Sequence, residues 1–192
     1  MLYSIIIHFG MKKFLQILVI ALCGSGLAYG QTKKITVITD DANERNFMVT
    51  PMEKYDATQE LTFTDGKFEG DIEKSEYGFY NMVTVKGQSQ VIMPVYLPGD
   101  AAVTLKLNLT DRSRLMIEGD NDNMALAAYS KVYIDINKSL WNNKERDVTK
   151  AYNDIKHFLF SADSIVQHYN CSENVKSYMQ LWSYLSAYDC FT

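Results

Sequence analysis

From Lys33 to about Glu118 the apolar residues recur at alternate positions in short runs, and from Asp122 onward they recur at every third or fourth position. The first period is that of half-buried strands and the second that of amphipathic helices. Ile35 and Val37, with neighbouring Ile38 and Thr39, predict a first strand closed by Asp40-Asp41-Ala42-Asn43. Phe47 to Val49 predict a second, ended by Pro51. Leu61 to Thr64 and Lys67 to Ile72 flank Asp65-Gly66, a strong short hairpin signal. Phe79 to Lys86, Val91 to Leu97, Ala101 to Leu109 and Leu115 to Ile117 follow. Between two of these, Pro98-Gly99-Asp100 combines a preset φ, a residue that tolerates positive φ and an acceptor for nearby amides. Short strands at even spacing with no helix between them predict an antiparallel β-sandwich or open barrel over residues 31–119.

At Glu118-Gly119-Asp120-Asn121-Asp122-Asn123 a polar linker hands over to residues 120–192, a three-helix segment, with Asp122 or Asn123 as the expected N-cap. The stripe of the first helix is Leu126, Tyr129, Tyr133, Ile136 and Leu140. The second reads Val148, Ala151, Ile155, Phe158, Ala162, Ile165 and Tyr169. The third reads Val175, Tyr178, Leu181, Leu185 and Tyr188, widened by Met179 and Trp182, with Ser172 as its cap. The expected class is therefore α+β.

Residues 1–30 read as an extension and leader. Met11-Lys12-Lys13 is a positive start, Phe14 to Cys23 an apolar run, and Ala28-Tyr29-Gly30 a small-x-small cleavage site. Cleavage after Gly30 and export to the periplasm or envelope are expected; Leu22 is a poor context for lipidation at Cys23. The 192-residue chain carries a net charge of −4, and without residues 1–30, whose charges are Lys12 and Lys13, the balance is −6. That argues against a nucleic-acid partner, which needs a basic face.

An exported chain can oxidise its cysteines. Cys171 and Cys190 bracket the third helix, which would hold them roughly 28 Å apart, against the about 4.4–6.8 Å a disulfide spans. No C-x-x-C occurs. Beyond the leader the histidines are His157 and His168, about 16 Å apart along one helix, too far to share a metal. Glu69, Asp71 and Glu73 alternate along one strand, with Glu76 beyond, and read as a solvated face rather than an acid/base pair. Asp120 and Asp122 form half a calcium loop without the closing glutamate, so they read as a capping linker. No catalytic, cofactor or metal residue is assigned. The tyrosine-rich helices offer core packing or a sugar- or lipid-binding groove.

Three stretches carry a resemblance. Asp65-Gly66-Lys67-Phe68-Glu69-Gly70, Val95-Tyr96-Leu97-Pro98-Gly99-Asp100, and Ile117-Glu118-Gly119 with Asn121 or Asn123 resemble the β-domain that precedes the helices and thioredoxin domain of exported TlpA and AhpC/TSA-like thiol–disulfide proteins of Gram-negative bacteria. The resemblance implies an accessory region that positions or interacts, with chemistry left to a C-terminal thioredoxin domain whose W-C-x-x-C motif is not in this sequence. Alone, such a chain is not expected to be an enzyme. The competing expectations are a stand-alone envelope protein that binds a glycan, lipid or protein, and a hydrolase using the carboxylates.

Overall fold

The structure is a computed structural model and describes residues 31–41, 45–86, 89–110, 115–141 and 147–189. The leader with its cleavage after Gly30, Cys23 and Cys190 lie outside them. The elements follow the order read from the pattern: β1 (Thr32–Thr39), β2 (Asn46–Pro51), β3 (Gln59–Thr64), β4 (Lys67–Glu73), β5 (Phe79–Lys86), β6 (Ser89–Tyr96), β7 (Val103–Leu107), β8 (Met116–Glu118), then α1 (Asn121–Trp141), α2 (Val148–Tyr169) and α3 (Glu173–Asp189).

The strands make one curled 8-stranded sheet, a half-barrel, in the order β6-β5-β2-β3-β4-β1-β7-β8. Of the two arrangements expected, this is the open barrel. Strand β3 is its corner: Gln59 to Leu61 pair with β2, and Thr62 to Thr64 pair with β4. The sheet is not antiparallel throughout. Strand β7 runs parallel to β1, with Ile35 opposite Val103 and Leu107 opposite Thr39. A parallel neighbour needs a long crossover, and the intervening strands supply it here.

The inner face is the first core. Ile35, Val37, Phe47, Phe68, Ile72 and Leu105 are buried there, and the rings of Phe47 and Phe68 sit 4.5 Å apart. Burial of each such side chain is worth about 1.5–3 kcal/mol. Two inward strand positions are polar, Thr84 and Lys33. Lys33 is 3% exposed and its Nζ donates to the carbonyls of Leu97 (2.9 Å), Pro98 (3.4 Å) and Gly99 (3.1 Å). The Pro98-Gly99 turn, with Gly99 at φ 69°, is thus tied to β1 across the sheet. Burial pushes the Lys33 ammonium pKa down, against the pull of Asp100.

The first helix starts earlier than expected. Asp120 is its cap, with Oδ1 accepting from Asn123 N at 2.7 Å, rather than Asp122 or Asn123. Both of those side chains are used elsewhere. Asn123 Oδ1 accepts from Tyr96 N and its Nδ2 donates to Tyr96 O, each at 2.8 Å, while Asp122 accepts from Ser172 N at 2.6 Å where α3 begins. Helix α2 is capped by Asp147, which accepts from Lys150 N, and ends at Asn170 in the left-handed region. Helix α3 keeps Val175, Met179 and, in part, Tyr178 of its expected stripe but exposes Leu181, Trp182, Leu185 and Tyr188. Leu181 is 58% and Tyr188 67% exposed, and the buried line is Val175, Met179 and Ser183. Met179 packs in the helical core with Phe158 and Tyr129, which turns the leucine and tyrosine side outward.

Candidate binding groove

Strands β5 and β6 are apolar on both faces. Tyr80, Met82, Val91 and Met93 fill the barrel, and Phe79, Ile92 and Pro94 project from the other side. That outer face needs cover, and α1 and α3 supply it only in part. The gap between them is an open cavity of about 1070 Å³, just above the range of about 300–1,000 Å³ usual for small-molecule sites. The strand wall is Phe79, Asn81, Ile92 and Pro94; α1 contributes Tyr129, Tyr133 and Ile134; α3 contributes Tyr178, Leu181 and Trp182. Exposed Tyr55 and Tyr77 also line it.

The floor is a row of rings. Phe79 lies 4.7 Å from Tyr96 and stacks on Tyr178, also at 4.7 Å, and Tyr178 continues to Trp182 at 6.1 Å. Tyr96 anchors the row: its backbone is held by Asn123 and its hydroxyl accepts from Asn174 Nδ2 at 2.7 Å. Burial, with the neighbouring phenols of Tyr129 and Tyr133, raises the pKa of Tyr178; burial pushes Tyr129 up to about 12. These phenols are neutral hydrogen-bonding groups, not bases, at ordinary pH. Several polar lining groups are already occupied. Ser130 Oγ donates to Leu126 O, and the Glu53 carboxylate accepts from Ser75 Oγ and the Glu76 amide.

Of the tyrosines on the predicted helices, Tyr129, Tyr133 and Tyr178 reach the groove. Tyr184 and Tyr188 are exposed. The strand wall and Leu181 were not singled out for binding; the signal was present in the two apolar faces of β5 and β6, which a half-solvated strand does not need.

The other candidates do not assemble a site. Glu69 is paired to Lys34 and Lys67, and the Lys67 hydrogen bond leads in holding its carboxyl below the usual range. Glu73 pairs with Lys54, while Asp71 and Glu76 are exposed. Asp120 and Asp122 serve the helix ends. His157 and His168 are both exposed on α2, and among the described residues no group of three His, Cys, Asp or Glu could hold a metal ion. Cys171 is a buried free thiol whose pKa burial raises. No protein-family model matches the chain, and no curated protein is significantly similar to it; the likeness to the thiol–disulfide group rests on its three short stretches.

Proposed function

We propose that this chain is a non-catalytic binding module of the cell envelope and that it binds through the groove between β5–β6 and helices α1 and α3. The observation that carries this reading is the half-open ring row Phe79–Tyr178–Trp182, with Trp182 still 43% exposed at its end. Ordered aromatic surface left facing a cavity is what a recognition site provides. Chemistry is poorly served by comparison: the Cys171 thiol is raised by burial, away from the thiolate a redox cysteine needs.

Export belongs to the same proposal and rests on Met11-Lys12-Lys13, the apolar run to Cys23 and Ala28-x-Gly30. N-terminal sequencing of exported material should read from Gln31; a lipid-modified Cys23 would overturn it. The accessory-domain form of the reading is kept because each stretch of the resemblance has an architectural task. Asp65-Gly66 turns a hairpin, Pro98-Gly99 receives Lys33, and Asn123 holds Tyr96.

The groove is tested with an apolar fluorescent probe on the chain and on Leu181→Asp. Leu181 is exposed, so the substitution should leave circular dichroism unchanged and abolish probe binding. Equal binding by both proteins would refute the groove as the site.

A further inference from the structure

We infer that the groove takes a single-chain amphiphile with an anionic head, a long-chain carboxylate whose tail lies on the ring row and whose head meets Lys131 or Lys138. The inference rests on the binding-module reading and adds the class of ligand. Its basis is how the lysines are used. Among the described residues Lys34, Lys54, Lys67, Lys74, Lys86, Lys106, Lys150 and Lys176 pair with carboxylates, and Lys33 is spent on carbonyls. Among the described residues Lys131, Lys138 and Lys156 have no such partner, and the first two line the groove. Two exposed ammonium groups without an ion-pair partner thus stand on the α1 wall of an apolar cavity.

Both lysines are exposed on α1, two turns or about 10 Å apart. Asp135 stands between them and also lines the groove, leaving a single positive charge on that wall. The other acidic lining residue, Glu53, keeps its charge but belongs to the β2–β3 connection rather than to the α1 wall, where its carboxylate accepts from Ser75 Oγ and the Glu76 amide. The wall favours a tail over a hydroxyl-rich ligand. Ile92, Pro94, Ile134 and Leu181 interrupt the ring faces with aliphatic surface; the Ser130 hydroxyl and the Asn174 amide are bonded within the protein, and Asn81, Gln90 and Ser177 are the remaining neutral polar side chains besides the phenols. An alkyl chain asks only for apolar contact along its length, and a carboxylate at its end gives the lysines their counter-charge.

The test is displacement of cis-parinarate from the full chain by palmitate, hexadecanol and hexadecyltrimethylammonium, each below its micellar concentration. Palmitate should displace the probe about fivefold better than the neutral alcohol, the gain expected of an exposed ion pair. The cationic amphiphile should be the weakest. Added salt should shrink the palmitate advantage, and the double variant Lys131→Gln, Lys138→Gln should remove it while alcohol binding persists. Equal displacement by all three ligands, or an advantage unchanged in the double variant, overturns the anionic head and leaves the groove standing. Failure of the chain to bind cis-parinarate, or undiminished binding by Leu181→Asp, overturns both the ligand class and the groove.

Discussion

The side-chain amide of Asn123 makes with Tyr96 both hydrogen bonds that a neighbouring strand would make, its Oδ1 accepting from the Tyr96 N–H and its Nδ2 donating to the Tyr96 carbonyl, each at 2.8 Å. Strand β6 is the end of the sheet, and Leu97 N already bonds Gly78 O on the other side, so the Tyr96 groups face outward. A carboxamide has the donor and acceptor of a peptide and caps the edge where helix α1 crosses it. Asn123→Ala leaves both Tyr96 groups buried without partners. We predict a loss of about 2–4 kcal/mol in urea denaturation. A loss below about 0.5 kcal/mol would show that water replaces the amide at no cost.

Arg45 is buried with Nε and Nη1 unpartnered among the described residues, and its Nη2 bonds Asp41 at 3.0 Å; Asp41 is shared with Lys86. A buried guanidinium so incompletely satisfied stabilises little beyond what an apolar side chain of similar size would. Arg45→Met should be neutral or stabilising by up to about 2 kcal/mol, and Asp41→Asn should destabilise, since it strips the buried cation of its counter-charge. Lys86 first and Arg45 second hold the Asp41 carboxyl below its ordinary 3.8. Its contribution is therefore complete above that value and is lost as the pH falls further. Thermal melts of both variants across the acid range decide the matter; a less stable Arg45→Met would show that the pair is needed.

Burial raises the Tyr129 phenol from 10.0 to about 12, although its hydroxyl sits 3.2 Å from Ser183 Oγ. An acid whose folded pKa is raised contributes fully below its unfolded value. That contribution, about 2–3 kcal/mol, disappears as the pH rises from 10.0 through about 12. The protein should lose stability over this window and Tyr129→Phe should lose less, because it keeps its ring beside Phe158. Parallel urea titrations across the window measure both slopes. Equal slopes would place the alkaline weakness in other groups.

Cys171 is 4% exposed and its thiol is raised by burial. Alkylation should therefore be slow in the folded protein and fast in urea. The chain should not reduce insulin. Turnover that vanished in the double variant Cys171→Ser, Cys190→Ser would contradict the binding-module reading.

Local chemistry was the legible part of the fold. Asp65 and Gly66 take φ of 51° and 80° because a two-residue hairpin turn requires positive φ at both positions, and Asp-Gly meets that demand at low cost. The strand alternation likewise needs only its own residues. Long-range use of a side chain was not legible. Lys33 counts as polar in any pattern, yet its position two residues before Ile35 sends it inward with Ile35 and Val37. Helix α3 carries apolar residues on more than one face, so from Val175 the line through Tyr178, Leu181 and Leu185 competes with the line through Met179 and Ser183. Which line is buried depends on α1 and α2 rather than on α3. The groove was hidden for the same reason, since β5, β6, α1 and α3 each supply one wall.

The parallel placement of β7 against β1 has a consequence for the order of assembly. The β3–β4 and β5–β6 hairpins close through nearby residues and can form early. Strand β1, first out of the described chain, must wait for Val103 to Leu107 before its β7 edge is covered. Loop-closure entropy places such a contact late. Until then the Ile35–Val37 strand presents an apolar, unpaired ladder, the form in which a nascent chain is most prone to aggregate or to need a holdase.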